Sequence, residues 1–216
     1  MAGTRDRLLA ATNESFRRRG YNGTSLKHVT EAAQAPTGSL YHFFPGGKDE
    51  LASEVLVTSG AAYRELFETI ADAAASPGDA VTDFFDGAAA VLEETDFVDP
   101  CPIGTVAREV ASTNEKLRQA TEQVFASWID AATTRLQAAG IDDDEAATLA
   151  TTVVAALEGA FVLARAKRDA NVLRDSGRVM RHAVEAALVS DANEIGQLPR
   201  EPPRARSTRP AAGKHG

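Results

Sequence analysis

The chain has 216 residues, a net charge of −8 and one cysteine, Cys101. This length is enough for a sizeable core without a metal or a disulfide, and a single cysteine excludes a disulfide within the chain. The first residues lack the apolar run and the cleavage site of a signal peptide, and charges interrupt the apolar runs elsewhere, so we expect a cytoplasmic protein without a membrane span.

The first 48 residues predict three short helices. The first covers residues 4–19, where apolar side chains recur every three or four positions. Thr24 or Ser25 then supplies the N-cap of a second helix of about nine residues. The letters "QAP" break that helix, and Pro36 begins a third one of barely two turns, which "PGG" closes.

The rest of the chain is also helical in pattern. A fourth helix begins near Lys48 and keeps its spacing for about six turns. Further helices are predicted over residues 79–94, 102–112, 114–139, 143–168 and 173–189. No useful alternation typical of strands appears, so the expected fold class is all-α with about nine helices.

We divide this chain into three parts. Residues 1–48 form the head, residues 49–195 form a helical body, and residues 196–216 are rich in proline and arginine with almost no apolar content. Such a composition cannot repay the entropy of ordering, so we expect a disordered basic tail.

The net charge argues against a nucleic-acid binder until it is divided along the chain. The head holds seven Lys and Arg against three Asp and Glu (+4), the body eleven against twenty-seven (−16), and the tail five against one (+4). A basic head on an acidic body suits a module that meets a polyanion. An unevenly charged, solvated surface explains the same division equally well.

The second and third helices of the head have the plan of a helix-turn-helix. The second helix of that motif enters the major groove, so its outward side chains must be small or hydrogen-bonding, as in "TGS" at residues 37–39. Tyr41 and His42 add donors for phosphate oxygens, and Lys48 adds charge at the start of the fourth helix. Leu40 and Phe43 are expected to point into the core of the head.

At these residues the chain resembles the TetR family of transcriptional regulators. The match runs from "RDRLLAATNESFRRRGYNGTSL" through "HVTEAAQAPTGSLYHFFPGGKDEL", and its most specific part is "GSLYHFF" with the following lysine. The resemblance implies contacts to the DNA backbone from Thr24, Tyr41, His42 and Lys48, and base-edge or close-approach contacts from Thr37, Gly38 and Ser39; Ser25 belongs to the same expected surface. The variant "FFPGGK" and the later "CPIGTVAREVAS" resemble the branch that contains the regulators LmrA and YxaF.

Three features depart from the family pattern. Gln34 stands in the turn where many members have glycine, and Thr37 stands where a basic or polar side chain often sits. The link "PGGK" is one residue longer than usual. These departures affect the prediction of the operator sequence more than the prediction that the head binds DNA.

The resemblance also implies a homodimer that represses from a double-stranded, palindromic operator and is released by a small apolar or aromatic effector. Its cavity is expected near Phe85, Ile103, Phe125 and Trp128, and "DPCPIGT" suits a hinge beside it. An aromatic residue at helical spacing also serves as ordinary core. The last two helices are expected to form the dimer interface, through Val153, Val154, Leu157, Phe161, Met180, Val184 and Leu188, although the same stripes suit an intramolecular core.

Other kinds of site fit these residues poorly. "PGGK" lacks the preceding strand and the following Ser or Thr of a phosphate-binding loop. Ser39 and His42 lack an orienting acid, and His28 and His42 lack the further ligands of a metal site. We therefore expect no catalytic residues, no cofactor and no metal. A helical enzyme with its pocket in the body, or an adaptor that binds protein through the head, remains the alternative.

Overall fold

The computed structural model describes residues 3–98 and 101–196 of the chain. Over these ranges it contains nine α-helices and no strand, which confirms the all-α prediction. The expected tail lies outside the described residues, apart from Gly196 at the end of the last helix.

The helices lie close to their predicted positions. They are α1 (Thr4–Arg19), α2 (Leu26–Ala32), α3 (Thr37–Phe43), α4 (Gly47–Ala73), α5 (Pro77–Glu94), α6 (Pro102–Val110), α7 (Glu115–Ala138), α8 (Asp143–Lys167) and α9 (Asn171–Gly196). α5 begins at Pro77 rather than Asp79, because Ser76 caps it by accepting the Asp79 N–H at 3.1 Å and proline is well placed at the first helical position. α9 extends beyond the predicted end at Val189.

The head is packed around side chains from all three of its helices. Leu8 and Phe16 of α1, Val29 of α2, Leu40 of α3 and the following Phe44 are completely buried. The same apolar cluster continues into the body, through the start of α4, α6 and the first half of α7. Head and body therefore share a core, and a movement of α6 or α4 must be felt in the head.

A second apolar cluster fills the body between α5, α8 and α9. α5 and α9 approach closely where Gly177 of α9 lies under Phe85 of α5, since a Cβ atom added at Gly177 would come within 2.7 Å of the Phe85 Cβ. This second cluster also includes Leu136 at the end of α7. This second cluster is therefore separate from the helix-turn-helix, whereas the first cluster joins the head to the body.

α8 is a long, apolar helix. Within the described residues it is the one helix long and apolar enough, by length and composition, to cross a membrane. This qualifies the expectation that charges interrupt every apolar run. α8 packs between α7 and α9, however, and opens with Asp143, Asp144 and Glu145, as a helix of a folded domain does.

Candidate nucleic-acid interface and ligand cavity

The outward face of α3 is polar and open. Thr37, Gly38, Tyr41 and His42 are exposed, and 52% of Tyr41 is accessible. Leu40 and Phe44 hold the helix from behind, one turn apart and both completely buried. The Ser39 N–H donates to the Pro36 carbonyl at 2.9 Å, which closes the first turn of this short helix. The sequence "TGSLYHF" thus places Thr37, Gly38, Tyr41 and His42 together on the surface, while Ser39, expected beside them, is half-buried.

Gly38 is not required by the fold of the isolated chain. A Cβ atom added at Gly38 meets nothing within 4 Å, and its φ lies outside the left-handed region that favours glycine. Glycine inside a helix costs roughly 0.5–1 kcal/mol relative to alanine. The missing side chain therefore weakens α3 slightly and leaves space for close approach from outside.

Thr24 does not belong to this surface, which corrects the prediction that it contacts a phosphate. It is only 3% exposed. Its hydroxyl donates to the Gly20 carbonyl at 2.7 Å and lies 2.8 Å from the Ser15 hydroxyl. The hydroxyl is thus used inside the head, where it ties the loop after α1 to α1 itself. Ser25 is exposed and caps α2 by accepting the His28 N–H at 3.2 Å.

Phe43 also differs from its prediction as a core residue. It is 36% exposed and packs edge-on against His42, with ring centroids 5.1 Å apart. The buried positions of α3 and its end are Leu40 and Phe44, four residues apart, so Phe43 falls at the edge of the buried face. Its ring extends the outward surface of α3.

Lys48 lies at the junction between head and body. Its ammonium group is 4.1 Å from the centroid of the Tyr21 ring, a cation–π contact. Partial burial lowers the pKa of Lys48, while Asp49 and Glu109 oppose that shift. The side chain is therefore already oriented by the head in the absence of any partner.

Beside Lys48, the carboxylate of Asp49 joins three elements. The Tyr21 hydroxyl donates to one of its oxygens, and the Asn114 side-chain amide donates to the other at 3.0 Å. Burial, and then the hydrogen bond to Asp49, raises the pKa of Tyr21 to about 12. The loop after α1 and the start of α7 are thus fixed together at the first turn of α4.

A second link joins α6 to the head. Glu109, near the end of α6, accepts the backbone N–H of Asn22 at 2.7 Å. Sequence reasoning missed Tyr21, Asp49, Glu109 and Asn114, because these partners are between 28 and 87 positions apart along the chain. No local pattern reports such pairs.

The body contains an apolar cavity of about 310 Å³. It is lined by Tyr63, Arg64, Leu66, Phe67 and Ile70 of α4, by Val81, Phe84, Phe85, Gly87, Ala88 and Val91 of α5, by Cys101, by Trp128 and Ala132 of α7, and by Val153, Val154, Leu157 and Phe161 of α8. The Trp128 ring is oriented by its N–H, which donates to the Gly60 carbonyl at 2.8 Å. Such an apolar space suits a small apolar or aromatic ligand.

Two of the four residues predicted for this cavity line it, namely Phe85 and Trp128. Ile103 is completely buried in the core shared with the head. Phe125 lies behind Trp128, packed edge-on with ring centroids 5.5 Å apart. Both are core residues, because α6 and this part of α7 pack toward α1 and α4 rather than toward α5.

The stripes predicted for a dimer interface point mostly into their own subunit. On α8, Val153, Val154, Leu157 and Phe161 line the cavity. On α9, Val184 is completely buried, and Met180 and Leu188 pack against the second cluster. The opposite faces of both helices are the exposed ones, with Ala155, Gly159, Val162 and Leu163 on α8 and Val179, Ala186 and Val189 on α9.

Sequence comparisons match both halves of the chain. Residues 8–55 match the family model described as bacterial regulatory proteins, tetR family, and residues 77–179 match the one described as transcriptional regulator LmrA/YxaF-like, C-terminal domain. The uncharacterized HTH-type regulator YxaF of Bacillus subtilis is 32% identical over 166 residues, covering 77% of this chain and 87% of YxaF. The HTH-type regulator LmrA of the same organism is 31% identical over 177 residues, covering 79% and 90%.

Solved structures show the same fold. A TetR regulator from Legionella pneumophila superposes with a TM-score of 0.73 at 23% identity, covering 86% of this chain and 97% of that one. A TetR regulatory protein from Rhodobacter sphaeroides gives 0.74 at 21% identity, covering 82% and 97%.

Proposed function

We infer that the protein is a ligand-responsive repressor, from the premise that the chain belongs to the TetR family of helix-turn-helix transcriptional regulators. Its relatives are regulators of transcription and not enzymes. Regulators of this family bind DNA operators, typically as dimers and with small-molecule effectors. We assign residues 1–48 to DNA binding and residues 49–195 to effector binding and dimerisation, in the cytoplasm.

In this proposal α3 enters the major groove of the operator. Thr37 and Ser39 contact base edges, and Gly38 lets the helix approach the bases. Tyr41, His42 and Lys48 contact the phosphate backbone, with Ser25 at the start of α2. The observation that carries this proposal is Gly38, because nothing within the described chain fills the space beside it.

Two heads are needed to read a palindromic operator. Half-sites for a helix-turn-helix dimer lie about 34–36 Å apart, or a multiple of that distance. We propose that the exposed faces of α8 and α9 pair with those of a second subunit. Val179 is 60% exposed and Gly159 allows close helix approach, which supports this choice over the buried stripes.

The effector enters the cavity and changes the spacing of the heads. α4 contributes Tyr63 and Phe67 to the cavity and carries Lys48 in its first turn. Lys48 and Tyr63 lie about 22 Å apart along this one continuous helix, and Lys48 and Phe67 about 28 Å, at 1.5 Å per residue. A ligand that tilts α4 therefore displaces the contacts around Lys48 without touching them, and the heads no longer fit successive grooves.

A gel-shift titration tests this function. The labelled duplex is the promoter region of the protein's own gene, and competitor DNA of unrelated sequence is added in excess. We expect a specific complex that survives the competitor and weakens as salt rises. Weak binding that is insensitive to sequence would contradict the proposal and favour the protein-binding adaptor instead.

A further inference from the structure

The first turn of α6 holds a buried polar cluster outside the DNA-binding head. Cys101 is buried at the N-cap of α6, where its sulfur accepts the Gly104 N–H at 3.5 Å. Its thiol also donates a hydrogen bond to the carboxylate of Glu158 on α8. Burial, followed by the charge of Glu158, raises the pKa of Cys101, so the group is a neutral thiol.

Two oxygens in this region are buried and unpaired. Neither Glu158 Oε1 nor Thr105 Oγ1 has a hydrogen-bond partner among the described residues. A buried polar group without a partner destabilises the folded protein, and a charged one does so more strongly. Folded proteins rarely leave such groups unused, so a pair of them points to something that binds there.

These oxygens belong to facing elements. Thr105 follows Cys101 by four residues, so both lie on one face of α6 about one turn apart. Gly104 is between them, and a Cβ atom there would overlap the Glu158 carboxylate. The glycine is therefore what allows the carboxylate to lie against the first turn of α6.

The cluster adjoins the apolar cavity. Cys101, the hydrogen-bond donor to Glu158, is one of the cavity-lining residues. On α8, Leu157 and Phe161 line the cavity on either side of Glu158 in the sequence, and Val154 does so one turn earlier. The carboxylate thus stands behind the cavity wall, within one hydrogen bond of its surface.

We propose that the effector is amphipathic, with an apolar body in the cavity and a hydrogen-bond donor, a hydroxyl or ammonium group, that binds Glu158 Oε1 and Thr105 Oγ1 at the first turn of α6. This inference rests on the proposed function, since it concerns the same cavity. A donor group can pair with Glu158 Oε1 or Thr105 Oγ1, whereas an anionic group would be repelled by Glu158. Burial raises the pKa of Glu158, which is the cost that a donor partner would relieve.

Such a ligand also acts on the element that reaches the head. α6 is nine residues long, with the cluster at its first turn and Glu109, which accepts the Asn22 N–H, at its last. A donor group placed at Glu158 competes for the carboxylate that the Cys101 thiol now holds. The effector would then shift α6 and, through Glu109, the loop after α1.

Three probes of one shape test the proposal. 1-Adamantanol, 1-adamantylamine and 1-adamantanecarboxylate share an apolar cage and differ in a neutral donor, a cationic donor and an anion. Trp128 is the one tryptophan of the sequence and lines the cavity, so its emission reports occupancy, and calorimetry on the full chain gives the affinities. We expect the alcohol and the amine to bind at least about tenfold tighter than the carboxylate.

Two variants test which side chains cause the preference for a donor group. Glu158→Gln removes the charge at constant shape, so the amine should lose at least about tenfold in affinity and the alcohol less. Thr105→Val removes the hydroxyl, so the alcohol and the amine should each weaken several-fold while the carboxylate does not. Glu145→Gln is the matched control, because Glu145 is exposed on the same helix, and it should change none of the three affinities.

The possible failures are distinct. Equal affinity for all three probes, unchanged by Glu158→Gln, would mean that the polar cluster holds only a buried water and would overturn this inference while leaving the cavity as the effector site. If no probe changes the emission of Trp128, the cavity itself is excluded and the effector half of the proposed function fails with it.

Discussion

The outward face of α3 and the cavity in the body are built in opposite ways. The α3 face is formed by neighbours in sequence, exposed and hydrogen-bonding, and is supported from behind by Leu40 and Phe44. The cavity is formed by side chains from four helices and the start of a fifth, and is almost wholly apolar. One surface is suited to a large polyanion that approaches from outside, the other to a small molecule that must lose its water. α4 and α6 connect them.

The two regions share one feature with the outward face of α8. Gly38 on α3, Gly87 at the cavity and Gly159 on the outward face of α8 are helical glycines at which an added Cβ atom meets nothing within 4 Å. None of them adopts a positive φ. The fold therefore accepts alanine at each, and each glycine costs its helix roughly 0.5–1 kcal/mol. We infer that each leaves room for a different partner: DNA, effector and second subunit.

The largest expected effect is on stability, and it distinguishes the buried residue that supports α3 from an exposed residue on its outward face. Leu40→Ala should lower the free energy of unfolding by about 2–5 kcal/mol, because it opens a cavity in the core of the head. Tyr41→Ala, one position later, should change it by less than about 0.5 kcal/mol and should weaken DNA binding for all sequences. Urea unfolding and gel shifts on both variants check this. A large loss of stability in Tyr41→Ala would mean that Tyr41 is structural.

The glycine substitutions come next. Gly38→Ala should stabilise the chain by roughly 0.5–1 kcal/mol and still weaken operator binding by about tenfold, since the methyl group occupies the space left for DNA. Gly87→Ala is the matched control: it should stabilise to a similar extent and leave DNA binding by the ligand-free protein unchanged. If Gly38→Ala binds the operator as well as the parent chain, close approach at this position is wrong.

The sequence predicts the α3 face better than it predicts the cavity, and the reason is the way in which each region is built. The face of α3 was predicted residue by residue because helical periodicity fixes the neighbours of Thr37, Gly38 and Tyr41 within one short segment. Thr24 and Phe43 were misplaced at the margins of that segment, where tertiary contacts rather than periodicity decide burial. A threonine at a cap position has the same sequence signal whether its hydroxyl faces solvent or Gly20.

The sequence of the body predicts less, because apolar spacing identifies the buried face of a helix but not the element that packs against that face. The stripe through Val153 and Leu157 was assigned to a second subunit, yet it lines a cavity in its own. Ile103 and Phe125 were assigned to the cavity, yet they pack toward the head. Both errors come from contacts between elements far apart in sequence, which a single sequence cannot reveal.

Gly159 provides the third test of the glycine comparison. Gly159→Ala should raise the dissociation constant of the dimer several-fold, because it adds a methyl group where we propose that two α8 helices meet closely. Analytical ultracentrifugation across a dilution series measures this, and operator affinity should fall with it. Thr151→Ala, at another exposed position of α8, is the control and should leave the dimer unchanged. An unchanged dimer in Gly159→Ala would place the interface elsewhere.

A smaller effect is expected at Lys48. Lys48→Gln should weaken binding a few-fold for every duplex and reduce the slope of log affinity against log salt by about 0.9, the value for one phosphate contact. Lys27→Gln is a matched control, since Lys27 is exposed on α2 and paired with Glu31 at 3.9 Å. An unaltered slope in Lys48→Gln would indicate that the Tyr21 ring holds the ammonium group away from DNA.

The smallest effect concerns the junction that orients Lys48. The pKa of Tyr21 is raised to about 12, chiefly by burial and then by Asp49, from an ordinary value of 10.0. A raised pKa of an acid means that folding favours its protonated form, so this contribution to stability is complete below pH 10 and is lost as pH rises through 12.

Tyr21→Phe removes the titration, and the difference in free energy of unfolding between the parent and the variant should shrink across that window. Chemical denaturation followed by circular dichroism at pH 9, 10, 11 and roughly 12 measures it, the values being set by the two pKa limits. A difference that stays constant with pH would mean that neither burial nor Asp49 raises the pKa of Tyr21 in the folded protein.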